Sequence, residues 1–332
     1  MLKIALISDQ LTRDSLKEES SVKIKNITPL NYKIVLRFWK PDILFVESAW
    51  QGYKNKWKYK IASYPDYPKR NNEKLKKVVK YAKALGITTV FWNKEDGVHF
   101  DRFVNSAVLF DHIFTVDENC IPKYKALVDK AVTVDTLMFA VQSKFHNFTG
   151  LNFNSTKANF VGSYSTHIHD KRRYWQDMMF ALSSKINGLV VFDRNSERKS
   201  PNYRYPKLKN LEVFSSVPYD QTAQIYKEYL ISLNVNTIED SSTMFSRRLV
   251  EIIACGGVAI TNSTPAVEKY FKEYCYTFKT KEELEELLKR FQNDGLSDID
   301  KQRLIEGAIY VSKYHTWTHR LQEIKNTIGI KC

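Results

Sequence analysis

The stretch Ser241-Ser-Thr-Met-Phe-Ser-Arg-Arg-Leu-Val-Glu-Ile-Ile-Ala-Cys-Gly-Gly257, continuing into Val258-Ala-Ile-Thr261, decides the fold class. A polar loop enters an amphipathic helix, a Gly-Gly pair stops that helix, and a short β-branched apolar run follows as a strand. Leu249, Ile252 and Ile253 stand at i, i+3 and i+4, which leaves Glu251 off the apolar stripe and within reach of whatever fills the loop before the helix.

Working outward, the same alternation of strand and helix fills the chain. Leu2 to Ile7 reads as a buried first strand and Ile43 to Val46 as a second, ending in the polar pair Glu47-Ser48. Polar residues at strand ends line the crevices of parallel sheets. Between Gln51 and Arg70 lies a loop rich in Lys, Tyr and Trp. Asn71 reads as the cap of a helix whose Leu75, Val78, Val79, Ala82 and Leu85 keep helical spacing and which Gly86 ends. Strand Thr88 to Trp92, a helix through about Phe110, and strands His112 to Val116 and Ala131 to Leu137 complete this half.

The polar tract 141–157 is the expected linker, after which the alternation restarts. Strand Ala158 to Val161 leads into Gly162-Ser163, and a helix from Lys171 to Ser184 carries Arg172. Strand Leu189 to Phe192 leads to Asp193-Arg194. A tyrosine-rich loop at 200–208, a helix near 220–229 and strand Ile231 to Val235, next to Asn236, precede the opening unit. Thr280-x-x-Glu283 is a capping box for a helix to Phe291, and two more helices close the chain. The expectation is an α/β protein of two successive Rossmann-like halves.

Composition agrees and narrows the classes. A chain of 332 residues is too long for one ordinary core, and 43% hydrophobic with 27% charged residues excludes a disordered protein. No run approaches the ~18 apolar residues of a membrane span, and Met1 to Asp9 is too short and too soon acidic for a signal peptide. A cytosolic protein is expected. The four cysteines, Cys120, Cys255, Cys275 and Cys332, lie far apart with no C-x-x-C pair, so they are expected reduced and suggest neither zinc nor a disulfide framework. The net charge of +14 suits nucleic acid, an anionic membrane face, a nucleotide or a phosphate-bearing polymer, and equally a lysine-rich solvated surface.

Neither half has G-x-G-x-x-G and there is no P-loop, so any phosphate is held by other devices. Those available are the turn at Gly162-Ser163, the helix start from Thr243 to Ser246, and the guanidinium groups of Arg247 and Arg248. The plainer alternative for the arginines is pairing with Glu251 on a solvated helix face. Trp92-Asn-Lys-Glu-Asp-Gly-Val-His-Phe100 places Glu95, Asp96 and His99 at a strand end, where acid/base groups belong; Glu95 or Asp96 as a helix cap and His99 as a structural histidine remain open. His167-Ile-His169-Asp170 lacks a third metal ligand at recognisable spacing, and no metal is expected. The Lys, Tyr and Trp interleaving at 53–60 suits single-stranded nucleic acid, sugars or phosphates.

At these residues the chain resembles the CgeB-like (spore-protein) glycosyltransferases, within the GT-B nucleotide-sugar transferases. The resemblance is carried by Pro41 to Trp50, Val90 to Asp101, Phe110 to Asp117, Phe160 to Tyr164, Leu233 to Asn236 and Thr243 to Gly256. It implies two facing Rossmann-like domains with the active site between them: residues 1–150, joined by a returning C-terminal helix at about 313–332, for the acceptor, and residues 151–312 for the donor. The co-substrate implied is a nucleotide-diphospho-sugar, UDP-sugar by expectation, with no cofactor. Glu251 matches a ribose-facing glutamate of related retaining enzymes, whereas Thr243 stands where a donor-sugar glutamate would be.

The donor-binding set expected is therefore Gly162, Ser163, Arg172, Asp193, Arg194, Asn236, Thr243, Ser246, Arg247, Arg248 and Glu251; the catalytic set Glu95, Asp96 and His99; the acceptor set Glu47, Trp50 and Trp92. The expected acceptor is a cell-envelope or spore-surface glycan or an anionic polymer such as teichoic acid, reached from the cytoplasm or from the inner membrane face, without nucleic acid. The competing readings are a nucleic-acid-binding or DNA-modifying protein and a non-catalytic GT-B relic that binds nucleotide sugar only.

Overall fold

The computed structural model describes residues 1–330, so the expectation for Cys332 and for the end of the closing helix lies outside the described residues. The chain divides into two compact units, Met1–Gln142 with the tail from Trp317 onward, and Ser143–Thr316. The first break falls at Gln142, and the tail from Trp317 onward groups with unit 1.

Unit 1 runs β1 (Leu2–Ile7), α1 (Gln10–Lys17), β2 (Val22–Asn26), α2 (Tyr32–Ile34, continued by a π-helical turn Val35–Trp39), β3 (Ile43–Glu47), α3 (Glu73–Ala84), β4 (Thr88–Asn93), α4 (Phe100–Ala107), β5 (His112–Thr115), α5 (Ile121–Lys125) and β6 (Thr133–Thr136). Its sheet is parallel, in the order β2-β1-β3-β4-β5-β6. Ile43–Glu47 is thus the third strand of the chain. The sequence reading passed over α1 and β2, because the edge strand buries only Val22 and carries exposed Lys23 and Lys25. The central β3 is buried throughout, as covered parallel strands are. The N-cap position of α3 is Asn72, one residue later than read, but it is Asn71 whose Oδ1 accepts the Glu73 N–H at 3.2 Å.

Unit 2 runs β7 (Ser155–Gly162), α6 (Asp170–Ile186), β8 (Leu189–Asp193), β9 (Leu211–Ser215), α7 (Thr222–Glu228), β10 (Tyr229–Asn234), α8 (Arg247–Ala254), β11 (Val258–Asn262), α9 (Pro265–Tyr270), β12 (Tyr276–Phe278), α10 (Lys281–Asp294) and α11 (Asp298–Tyr314). The parallel order β12-β11-β10-β7-β8-β9 is the Rossmann order, reversing direction between β7 and β10. β9 and β12 were not legible in the sequence; four of the five β9 residues are exposed at the sheet edge.

The opening stretch folds as its residues dictate. At the end of α8 the Gly256 N–H bonds to Ile253 O at 3.0 Å and the Gly257 N–H to Ile252 O at 3.1 Å, with Gly256 at φ 76°, a Schellman stop that only glycine adopts without strain. The capping box of α10 forms as read, with Thr280 accepting from Glu283 N and Glu283 from Thr280 N. The last helix, α12 (Trp317–Ile328), belongs to unit 1: Trp317 packs edge-on against Trp92 at 5.4 Å and Arg320 Nε bonds to Met138 O at 2.8 Å. Among the described residues no helix is long and apolar enough to cross a membrane.

Candidate functional site

In unit 2 the switch point lies between the ends of β7 and β10, and the residues there are arginine-rich. Arg248, in the first turn of α8, is only 8% exposed. Its Nε donates to Val161 O at 2.6 Å, its guanidinium lies 4.3 Å from the Phe160 ring centre, and its Nη1 is buried with no partner in the chain. Gly162 is required beside it: a Cβ there would stand 2.7 Å from Arg248 Nη2 and 2.5 Å from the Phe160 ring. Arg172, in the first turn of α6, donates from Nη2 to Ser163 O at 3.1 Å, while its buried Nε is unpartnered.

These side chains feel one another. Burial, then Arg248 and Arg194, push the Arg172 pKa down to about 10. Arg194 N–H is tied to Gly162 O at 2.8 Å, which anchors the third arginine at the same strand end. The buried Tyr205 hydroxyl, also unpartnered, faces the same three arginines and Asp193. Asp193 turns its carboxylate to the Asn195 N–H at 2.8 Å, and burial raises its pKa. The enclosed guanidiniums of Arg172 and Arg248 thus meet at a strand end, each with one unpartnered N–H donor and with the exposed Arg194 close by, an arrangement chemically suited to an anion.

The other expected donor residues divide by role. Asn236 Oδ1 accepts the N–H of Ser246, the N-cap of α8, at 2.8 Å, and Asn236 N–H bonds to Asn262 Oδ1 at 2.8 Å, so Asn236 braces the start of α8. Thr243 N–H and Met244 N–H both reach Ser241 Oγ, folding the preceding loop over itself. Arg247 and Glu251 make the helix-face pair foreseen as the alternative, Nε to Oε1 at 3.1 Å, but the face is not solvated: Glu251 is 5% exposed and also accepts from Tyr226 OH at 3.4 Å. Beside them His146 bonds through Nε2 to Thr222 Oγ1 at 2.8 Å and keeps a buried, unpartnered Nδ1.

In unit 1 the segment after β4 separates its three acid/base candidates. Asp96 is fully enclosed, accepting from Asn93 Nδ2 at 2.6 Å and Tyr124 OH at 2.9 Å, and burial raises its pKa to about 7. Glu95 and His99 are half-buried. Burial lowers the His99 pKa while Glu95 opposes the shift, and the ring meets Trp50 edge-on at 5.3 Å. Trp92 is a core residue, 1% exposed, with its N–H on Leu137 O at 2.9 Å. Glu47 is equally enclosed.

Around Glu47 lies a cluster that the sequence reading did not assemble. Lys94 Nζ lies 3.0 Å from Glu47 Oε1 and 3.4 Å from Asp9 Oδ2. Asp9 accepts the backbone N–H groups of Trp50, Gln51 and Gly52 at 2.8–3.0 Å, and so fixes the loop that carries Trp50. Burial pushes the Asp9 carboxyl up, but Lys94 and those three N–H groups outweigh it and hold it low; Glu47, with Oε2 unpartnered, is raised by burial. β1 and β3, which flank the switch point of this sheet, both end in an acidic residue or lead directly into one, and that was the available signal. Among the described residues no three His, Cys, Asp or Glu side chains are grouped to hold a metal.

Residues 170–326 match the profile of a family described as "Glycosyl transferase-like". No curated protein is similar in sequence at a significant level. Among solved structures, a DNA-modifying β-glucosyltransferase described with and without uridine diphosphoglucose is similar at TM-score 0.63 and 13% identity, covering 99% of this chain and 100% of that one. The sucrose-phosphate synthase of Thermosynechococcus elongatus is similar at 0.58 and 9%, covering 99% of each. A glycosyltransferase of Rickettsia africae ESF-5 is similar at 0.58 and 13%, covering 99% of this chain and 91% of that one.

The fold is GT-B. The profile match covers the part of unit 2 that carries Arg172, Arg194 and Arg248. Within this GT-B chain, Asp9, Lys94, His146 and Tyr205 are the chemistry-bearing residues that sequence reasoning missed. Lys94 lies inside the Trp92–Phe100 segment without having been singled out there, Asp9, His146 and Tyr205 sit in no recognisable motif, and each acquires its setting only from the fold.

Proposed function

We propose that the chain is a CgeB-like glycosyltransferase that binds a UDP-sugar in unit 2 and transfers the sugar to an acceptor hydroxyl. The observation that carries this is the trio Arg172, Arg194 and Arg248 at the end of β7, with the Arg172 Nε and Arg248 Nη1 donors unpartnered. Departure of a nucleoside diphosphate develops charge on the β-phosphate, and fixed guanidiniums in a poorly solvated site stabilise that charge strongly. The diphosphate therefore lies against these arginines, Glu251 and His146 mark the ribose side, and turnover survives EDTA because arginine supplies the positive charge.

In unit 1, His99 accepts the proton of the attacking hydroxyl. Its lowered pKa keeps the imidazole neutral near pH 7, with Glu95 beside it and the enclosed Asp96 positioning the segment. Glu47 and Trp92 take no part, and Trp50 is the acceptor contact. The acceptor is a phosphate-rich envelope polymer of the teichoic-acid type, a reading supported by the +14 charge. A duplex-DNA acceptor is the second reading, favoured by the similarity to DNA-acting glucosyltransferases.

The test is a nucleotide-sugar panel, read as hydrolysis and as transfer to teichoic acid or to duplex DNA. UDP-sugar turnover that Arg172→Ala abolishes supports the reading. An intact fold with no donor bound refutes it, and donor binding without hydrolysis or transfer to any acceptor identifies a non-catalytic relic.

A further inference from the structure

The short helical segment Tyr32–Trp39 of unit 1 packs Leu36, with Tyr32 and Val35, against the core and leaves a second apolar side outward. Leu30 is 85% exposed, Ile34 63% and Phe38 75%. Ile34 and Phe38, four residues apart, share one side of the segment, and Leu30 stands in the turn that starts it. Scattered exposed apolar residues need no explanation, but three large ones together do.

The stretch of chain that carries them is basic. From Ser20 to Pro41 the chain carries Lys23, Lys25, Lys33, Arg37 and Lys40 and no acidic residue. Those five side chains are all exposed. Lys25 Nζ lies 5.0 Å from the Trp39 ring centre, which ties the edge strand β2 to the end of the helical segment in one basic field. The two acids that flank this stretch are engaged elsewhere: Asp42 accepts the Lys3 N–H at 2.7 Å, and Glu19 accepts from Gln142 Nε2 at 2.7 Å and Thr318 Oγ1 at 2.8 Å. The other exposed apolar pair, Val213 and Phe214 on β9, lacks this setting: Glu212 beside it pairs with Lys157 at 2.5 Å.

We propose that the face formed by Leu30, Ile34 and Phe38, rimmed by Lys33, Arg37 and Lys40, docks this protein on an anionic lipid bilayer. Outward apolar side chains on a basic amphipathic segment insert into the boundary between headgroups and acyl chains, while the long cationic stems keep their charges at the anionic headgroups. A duplex nucleic acid would use the cations and gain nothing from Leu30 and Ile34, whose aliphatic side chains offer neither a phosphate contact nor a stacking face. The bilayer uses both. This surface is independent of the glycosyltransferase reading, because it lies on α2 and β2 and shares no residue with the sites described above.

The test is flotation of the full chain with vesicles of equal parts phosphatidylglycerol and phosphatidylcholine, and with phosphatidylcholine alone. Flotation with the anionic vesicles and loss of it with phosphatidylcholine are expected. Lys33→Gln with Arg37→Gln should weaken anionic-vesicle binding about 25-fold, at about fivefold per cation. Ile34→Glu with Phe38→Glu should abolish it with an unchanged thermal melt, because both side chains are exposed. No flotation of the wild-type chain, or wild-type flotation of the Ile34→Glu, Phe38→Glu chain, overturns the proposal. Two other results also overturn it: binding of duplex DNA through Lys33 and Arg37 without vesicle binding, and a dimer that Ile34→Glu with Phe38→Glu dissociates.

Discussion

Arg248→Met separates a ligand-binding arginine from a structural one, because the two roles move stability and affinity in different directions. The substitution keeps most of the side-chain volume over the Phe160 ring and removes the charge. In the free protein it forfeits the Nε bond to Val161 O, about 1–1.5 kcal/mol. It also removes a buried cation with an unpartnered Nη1 and relieves Arg172 of a like-charged neighbour, a gain of about 1–3 kcal/mol. The unliganded chain should therefore melt within about 3 °C of wild type.

Affinity should behave otherwise. Two charge-assisted bonds to the diphosphate, at about 1.5 kcal/mol each, correspond to a loss on the order of 100-fold. At UDP equal to about 100 times the wild-type Kd, ligand stabilises wild type by about 2.7 kcal/mol and the variant by about 0.4 kcal/mol. In a thermal-shift assay that is about 5 °C against about 1 °C. A variant that loses many degrees unliganded yet keeps the full UDP-induced shift would refute the assignment and make Arg248 a packing residue.

Three further substitutions test the surroundings. Lys94→Met leaves the Asp9 and Glu47 carboxylates without their shared cation and should destabilise unit 1 by about 3–5 kcal/mol in denaturant unfolding, the loss shrinking as pH falls and the buried carboxylates protonate. Asp96 has a folded pKa of about 7 against an ordinary 3.8, so the folded state binds its proton more tightly, and this contribution declines as pH rises from about 4 to about 7. Asp96→Asn should flatten that part of the stability-pH curve; an unchanged slope would show that another group carries it. Gly256→Ala combines φ 76° with a Cβ 2.7 Å from the Phe148 ring and should cost about 1–3 kcal/mol, measured by the shift of the urea midpoint.

What was legible in the sequence followed burial. β3, β10 and β11 lie inside their sheets, so their apolar runs announced them, and the Gly-Gly stop marked the end of α8 without tertiary information. β2 and β9 lie at sheet edges, where one face is solvated and Lys23, Lys25 or Glu212 interrupts the pattern. The same lack of burial information made Trp92 look like an acceptor contact, since an aromatic residue at a strand end reads alike whether it faces solvent or Leu137 O. Arg172 and Arg248 were each nameable as helix-start cations. Their convergence on the end of β7 was not, because it depends on the β10-β7 pairing that brings the starts of α6 and α8 together at the ends of the two central strands.

That convergence is also the strongest physical ground for an anionic ligand. The start of α8 is held by Asn236 at Ser246, its end by the Schellman stop, and Arg248 itself by Val161 O, so the guanidinium cannot relax away from Arg172 by a small loop shift. Gly162 adds to the constraint by removing the one side chain that would fill the space between strand end and guanidinium. A protein optimised only for stability would place an acid against the enclosed pair Arg172 and Arg248. Here Glu251 is engaged by Arg247 and Tyr226, and Asp193 by the Asn195 N–H, so both nearby carboxylates are held by other partners. On the proposed reading, a diphosphate, with charge in excess of one carboxylate and oxygens on several sides, would offset the like charges of Arg172 and Arg248 and would also be within the field of the exposed Arg194.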